Sequence, residues 1–213
     1  MHIVLDSILP TYISNDQVSS SEIFLREKVM FESPKKYLIN ANSGVGKTSF
    51  LNLIFATNFS YNGNILYDNI NIKSNSNLIQ KLRKETISYV FQDFKLFPNI
   101  SAIDNINLKN NLTNYKTNSQ ISEMFEYCGI FEQKDKLVKN LSRGQKQRVA
   151  IIRSLCQPFN FLLLDEPFSH LDSTNIAKVV SLINSEVSKR SASLIMTDLR
   201  INSFFNYDKI YKL

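Results

Sequence analysis

In the stretch NANSGVGKTSF, residues 40–50, two glycines, a lysine and a threonine fall at a spacing suited to phosphate chemistry. Gly44 and Gly46 free the backbone to turn its N–H groups onto phosphate oxygens. A helix beginning just after them adds its positive dipole end. Lys47 would reach the β- and γ-phosphates of a nucleotide, and the Thr48 hydroxyl would ligate Mg²⁺. The pattern G-x-x-x-x-G-K-[ST] holds at Gly46, Lys47 and Thr48, but Ala41 stands where the first glycine belongs. One extra methyl group is tolerated if Ala41 keeps a negative φ, so a modest effect is expected. The expected cofactor-binding loop is therefore Asn42, Ser43, Gly44, Val45, Gly46, Lys47, Thr48 and Ser49, with ATP and Mg²⁺ as its ligands.

The complementary acids stand in FLLLDEP, residues 161–167, about 120 residues after the glycine loop. Asp165 would hold Mg²⁺ through water. Glu166 would orient or deprotonate an attacking water, which is how in-line phosphoryl transfer is assisted. An acidic pair after an apolar run also serves to cap a helix. Its partnership with an upstream glycine loop favours the phosphate reading.

These residues need strands and helices to hold them. KKYLINA reads as a strand entering the glycine loop, and TSFLNLIFA continues as a helix, the order that a phosphate loop requires. Residues 2–9 and 22–31 carry short apolar or alternating runs that suit strands, YNGNILYDNINI reads as a hairpin, and TISYVFQD as a buried strand. From about 95 to 140 the pattern turns helical, with Ile121, Met124, Phe125 and Cys128 on one face. A helix over SRGQKQRVAIIRSLCQ stops at Pro158, and FLLLDEP is a fully apolar strand. NIAKVVSLINSEV is amphipathic through Ile176, Val179, Val180 and Ile183, and SLIM and KIYKL are the final strands. Alternating strands and helices predict an α/β sheet with a helical insertion.

Composition sets the limits. The 213 residues are 43% hydrophobic, which supports a buried core in one domain. No apolar run approaches the roughly 20 residues that span a bilayer, and the N-terminus MHIVLDSILP has no basic leader. The expectation is a cytoplasmic chain that meets the membrane only through a partner. Cys128 and Cys156 have no metal-type spacing and read as reduced, buried thiols. The net charge of +6 is spread without a basic block, so no nucleic acid is expected.

Phosphate loops serve kinases, GTPases, helicases and transport ATPases alike. The stretch that chooses is LSRGQKQRVAIIRSL, residues 141–155. It resembles the L-S-G-G-Q signature of ATP-binding cassette (ABC) ATPases, followed by its basic helix. YVFQDFKLFPNISAIDNI resembles the family's glutamine loop around Gln92, SHLD the loop after the catalytic acid with Asp172 at its end, and Tyr12 the aromatic that stacks on adenine. The resemblance covers nearly the whole chain. It implies a P-loop cassette over residues 1–213: a mixed sheet core and an N-terminal antiparallel β subdomain from 1–94 and 141–213, with a helical subdomain at about 95–140 carrying the signature at its end.

The resemblance further implies that Gln92 links Mg²⁺ and water to movement of the helical subdomain. Ser142, Gly144 and Gln145 would bind the γ-phosphate held by a second subunit, so that a head-to-tail homodimer closes on ATP. By itself, Ser142 is a good N-cap and Gly144 leaves N–H groups open at a helix start. Arg143 replaces a glycine and either adds positive charge near the phosphate or points to solvent. A sharper departure lies in LIMTDLR. The family's Thr-His-Asp is here Thr197 followed directly by Asp198, so the histidine has either become Asp198 or been deleted, and the two histidines, His2 and His170, stand elsewhere. A carboxylate facing a γ-phosphate is repulsive unless protonated, metal-bound or turned away. The expectation is MgATP binding with slow hydrolysis, or hydrolysis that depends on Glu166 and a partner, with Asp198 kept among the candidate catalytic residues beside Glu166, Gln92 and Lys47.

Phe91, Phe94, Phe97 and Pro98 offer an apolar surface where a membrane subunit's helix would dock; core packing accounts for some of these aromatics equally well. Because the sequence runs only a little beyond its last strand, the expectation is a compact cassette without a C-terminal regulatory domain. The leading expectation is an ATP-binding subunit driving separate transmembrane permease subunits. The alternatives are a weakly hydrolysing module that gates a membrane or cell-envelope partner without transport, and a soluble ABC ATPase.

Overall fold

The computed structural model describes residues 1–14, 18–24, 26–42, 44–73 and 76–213. Its nine strands and six α-helices, counted among the described residues, form two sheets that share one core. Strand β1 (His2–Pro10) pairs antiparallel with β2 (Val29–Glu32) and β4 (Tyr61–Tyr67), and β4 with β5 (Ile70–Asn71). The β1–β4 ladder shifts register between Asp6 and Leu9. There Ser7 takes φ 52° and Gly63 φ 84°; a Cβ on Gly63 would lie 2.4 Å from the Asp6 carbonyl oxygen, so the bulge requires glycine.

The second sheet runs β6 (Ile87–Val90), β7 (Phe161–Asp165), β8 (Ser193–Asp198), β3 (Lys36–Asn40), β9 (Lys209–Lys212). Every pairing in it is parallel. The α/β cassette expectation holds, with one correction: the core sheet is not mixed, because the antiparallel strands all sit in the separate sheet. Both faces of the parallel sheet are covered, which is why its strands read as continuous apolar runs. In β7, Phe161 and Leu163 face the core shared with the antiparallel sheet and α1 (Lys47–Ile54), while Leu162 and Leu164 face the helical side. That side carries α3 (Ala102–Asn110), α4 (Asn118–Tyr127), α5 (Arg143–Leu155) and α6 (Ser173–Lys189).

Polar caps start these helices where the sequence changes character. Ser101 accepts from the Asp104 amide at 3.1 Å, Thr117 and Gln120 form a reciprocal capping box, and Asp172 accepts from the Asn175 amide at 2.8 Å. Cys128 and Cys156 are buried free thiols, pushed up by burial to about 11 and about 12 respectively.

Two sequence expectations need correction. The strand expected over 22–31 is confined to Val29–Glu32; Ile23 and Phe24 are buried through a turn rather than a ladder. A helix α2 (Ser76–Lys81) running into a π-helical turn (Leu82–Thr86) precedes β6 and was not expected. α2 buries none of its residues, so it has no apolar stripe to read.

Candidate functional site

Parallel strands bring their carboxyl ends to one edge, where the candidate residues gather. β3 ends at Asn40, β7 at Asp165, β8 at Asp198, and Gln92 follows two residues after β6. Between β3 and α1, Gly44 takes φ 81° and Gly46 φ 104°, left-handed values that favour glycine. Gly46 is the N-cap of α1 and supplies no side-chain acceptor, so the first-turn N–H groups are suited to an anion. Ala41 is buried and does not take a positive φ. Its amide donates to the Asp198 carbonyl at 3.2 Å and its carbonyl accepts from Lys47 Nζ at 3.0 Å, so its methyl group is accommodated. Ser43 lies outside the described residues.

Lys47 is only 6% exposed. Its ammonium donates to the carbonyls of Ala41 and Asn42, both at 3.0 Å, and pairs with Glu166 Oε1 at 3.2 Å. Glu166 Oε2 accepts from Gln92 Nε2 at 3.2 Å. Glu166 has φ 46°, a strained value for a side chain of its size. Its amide is held by the Thr197 carbonyl at 3.1 Å, which fixes the carboxylate just beyond the sheet. Lys47, Glu166 and Gln92 line one cavity of about 230 Å³ together with Gly44, Gly46, Thr48 and Ser49.

Beneath them Asp165, 1% exposed, accepts from Thr48 Oγ1 at 2.7 Å and from Thr197 Oγ1 at 2.8 Å. Burial pushes its carboxyl above the usual range, and the two hydroxyl bonds pull partly back. The Tyr89 hydroxyl approaches it at 3.5 Å and is itself pushed up, by burial first and the Asp165 charge second. Thr197 and Tyr89 were not expected as partners of Asp165. The cross-strand register Asp165↔Thr197 brings Thr197 there, and no local pattern announces it. Carboxylate, hydroxyl and amide oxygens from Asp165, Thr48 and Gln92 make the all-oxygen donor set that Mg²⁺ takes, so these residues fit that ion.

The remaining candidates do not line this cavity. Tyr12 is 50% exposed and its hydroxyl accepts from Asn58 Nδ2 at 3.3 Å; the next residue, Ile13, sits beneath Gly46, 3.2 Å from where a Cβ would be. Asp198 is engaged by its own turn: Oδ2 accepts from Asn202 Nδ2 at 2.8 Å and Oδ1 from the Arg200 amide at 3.3 Å. Ser142 and Gln145 cap α5 reciprocally at 3.2 and 2.9 Å. A Cβ on Gly144 would come within 2.9 Å of the His170 carbonyl oxygen. Arg143 is exposed, and its Nη1 lies 3.3 Å from His170 Nε2. Since guanidinium only donates, that nitrogen accepts. Gln147 also accepts the His170 amide at 3.1 Å, so the helix start and the loop before Asp172 are tied together.

Comparison with known proteins identifies the family. The family described as ABC transporter matches residues 28–169. The uncharacterized ABC transporter ATP-binding protein YclH of Bacillus subtilis (strain 168) is 33% identical over 182 residues, covering 83% of this chain and 79% of its own. The glucose import ATP-binding protein GlcV of Saccharolobus solfataricus is 31% identical over 189 residues, 83% of this chain but only 53% of that longer protein. In fold, the dimeric MJ0796 bacterial ABC transporter cassette superposes with a TM-score of 0.79 at 24% identity, covering 99% of this chain and 94% of that one. With the family matched over about two thirds of its residues and YclH 33% identical over 182 residues, the chain belongs to the ABC transporter family.

Proposed function

We propose that the chain binds MgATP at the Gly44–Gly46 loop, hydrolyses it slowly, and uses it as the ATP-binding subunit of a transporter. The observation that carries this reading is the convergence of Lys47, Glu166 and Gln92 on one cavity above the Thr48–Asp165 pair. Lys47 would exchange its contact with Glu166 for phosphate oxygens, while the first-turn N–H groups of α1 hold the same anion. Thr48, Gln92 and Asp165 would hold Mg²⁺, whose part is to neutralise developing charge. Glu166, freed from Lys47, would accept the proton of the attacking water, and Gln92 would orient it. Tyr12 would stack on adenine.

Residues 1–213 act in this reading as one cassette, with residues 95–140 as its helical subdomain. Two copies close head to tail, and Ser142, Gly144 and Gln145 of each serve the nucleotide of the other. Among the described residues no helix is long and apolar enough to cross a membrane. Separate permease subunits would therefore hold the cassette at the inner face of the cytoplasmic membrane. Lys47→Ala tests the site: MgATP binding measured by titration calorimetry should disappear, and tight binding by that variant refutes the assignment.

A second reading, a weakly hydrolysing module that gates its partner without transport, is favoured by one observation. Asp198, which directly follows Thr197 in the stretch that resembles the family's Thr-His-Asp, spends its carboxylate on Asn202 and Arg200 rather than on the cavity. Steady turnover stimulated by the purified membrane partner, with solute movement into vesicles, selects transport; stimulation without movement selects gating.

A further inference from the structure

Gln147 stands one turn into α5 and is only 2% exposed, and its side chain bonds to a different segment of the chain. Its Oε1 accepts from the His170 amide at 3.1 Å, and its Nε2 donates to the Glu166 carbonyl at 3.5 Å. One buried amide thus joins the two ends of the turn 166–170. That turn begins on a strained residue, Glu166 at φ 46°, and such a backbone persists only where its surroundings impose it. The Glu166 amide is held by the Thr197 carbonyl at 3.1 Å, and Phe168 packs edge-on against Phe204 at 4.9 Å between ring centroids. Inside the turn the Ser169 amide reaches the Glu166 carbonyl at 3.4 Å, a long bond. Gln147 adds its constraint from a helix outside the turn. Gly144 on the same helix seats the far end, where a Cβ would lie 2.9 Å from the His170 carbonyl oxygen.

A buried glutamine needs partners at both ends of its amide, and many backbone pairs would satisfy that need. Here the pair brackets the residue whose carboxylate meets Lys47 and Gln92, each at 3.2 Å. We propose that Gln147 is a positioning residue for Glu166: its amide clamps the 166–170 turn, holds Glu166 in its left-handed conformation, and so aims the carboxylate at Lys47 and at the attacking water. The part Glu166 plays rests on the nucleotide reading above; the clamp rests on the contacts of Gln147. Without the clamp the turn relaxes and the carboxylate leaves its place beside Lys47. Two consequences of opposite sign follow. Hydrolysis loses a well-placed base, and a misplacement of about 1 Å costs up to 10²-fold. Phosphate meets Lys47 more readily, because less of the ion pair has to be broken. A glutamine that only filled the core would give a different result, lower stability with nucleotide affinity unchanged or weaker. Since Gln147 belongs to α5, any shift of that helix carries the acid with it.

The test is a double-mutant cycle on the full chain between Gln147→Met, which keeps the length and loses both bonds, and Glu166→Gln. Steady-state ATP hydrolysis, and calorimetry with Mg²⁺ and a non-hydrolysable ATP analogue, are measured on all four proteins. Gln147→Met should lower kcat roughly tenfold or more and tighten analogue binding roughly threefold to tenfold. In the Glu166→Gln background it should add no further affinity, because the ion pair it loosens is already gone. Equal or weaker affinity in Gln147→Met, or gains that add in the double variant, would each overturn the proposal. Should Gln147→Met not fold, Gln147→Asn, one methylene too short to bridge His170 and Glu166, carries the same expectations. Thermal melts without nucleotide read the coupling independently of ATP: the drop in Tm from Gln147→Met should be smaller in the Glu166→Gln background. A wild type that binds no analogue removes the nucleotide reading, and the melts then decide the clamp, strictly additive losses overturning it.

Discussion

Glu166→Gln should destabilise the nucleotide-free chain and yet tighten its hold on MgATP. In the structure the Glu166 carboxylate lies 3.2 Å from an ammonium, with the two side chains 16% and 6% exposed. At an effective dielectric constant of about 20, that separation corresponds to roughly 5 kcal/mol of gross attraction. Desolvation offsets much of it, and a hydrogen bond to a charged group contributes about 1.5–3 kcal/mol net. Glutamine keeps the shape and an acceptor for Gln92, while Lys47 retains only the Ala41 and Asn42 carbonyls. A loss of about 2 kcal/mol follows, which in a chain of this size lowers Tm by about 4–8 °C. Phosphate binding requires the wild type to break the same ion pair, and the variant has none to break. The affinity for MgATP should therefore rise by the same amount, about 30-fold, while hydrolysis falls with loss of the base. Thermal melts without nucleotide, and calorimetry with Mg²⁺ and a non-hydrolysable ATP analogue, measure both sides of the cycle. A variant that melts with the wild type and binds no more tightly would refute the competition between Glu166 and phosphate for Lys47.

Asp165 is an acid whose folded pKa is raised by burial, so the folded state holds its proton longer than the unfolded chain does. Its contribution is favourable at low pH and is lost as pH rises from the unfolded value near 3.8 through the raised one. Asp165→Asn, compared with wild type by urea melts, should therefore gain relative stability across that window and then level off; a flat difference refutes the assignment. Gly144→Ala places a Cβ 2.9 Å from the His170 carbonyl oxygen and should cost about 1–3 kcal/mol in the same assay. Glu186, 3% exposed, pairs with Lys116 at 2.8 Å and Arg190 at 2.6 Å; Glu186→Ala strands both cations and should cost about 3–5 kcal/mol, with a loss below 1 kcal/mol counting against it.

The parts of the fold that were legible are those where one local rule decides. The strand into the glycine loop, the helix after it and the fully apolar β7 each carry their own periodicity or composition. Residues 22–31 misled because burial of Ile23 and Phe24 looks the same in sequence whether a ladder or a turn achieves it. The site divides the same way. Gly44, Gly46, Lys47, Thr48, Asp165 and Glu166 are fixed by spacing. The Lys47–Glu166 pair, the Thr197 bond to Asp165 and the Arg143–His170 contact arise from register between distant segments, which single-sequence patterns do not contain.

Asp198 shows how far a departure from a motif can be interpreted once its neighbours are known. A carboxylate there is compatible with a bound γ-phosphate only if protonated, metal-bound or turned away, and its bonds to Asn202 and the Arg200 amide correspond to the third case. The arrangement is braced: Asn202 also accepts from the Tyr207 hydroxyl at 2.8 Å, and that hydroxyl is pushed up by burial and by the Asp198 charge, which keeps it a donor. The Asp198 backbone meanwhile serves the loop, its carbonyl accepting from the Ala41 amide at 3.2 Å and from Asn40 Nδ2 at 3.4 Å. The residue thus supports the phosphate loop with its main chain and keeps its charge out of the cavity. In the proposed mechanism Glu166 and Gln92 are the groups that would meet the attacking water, and hydrolysis would be correspondingly slow.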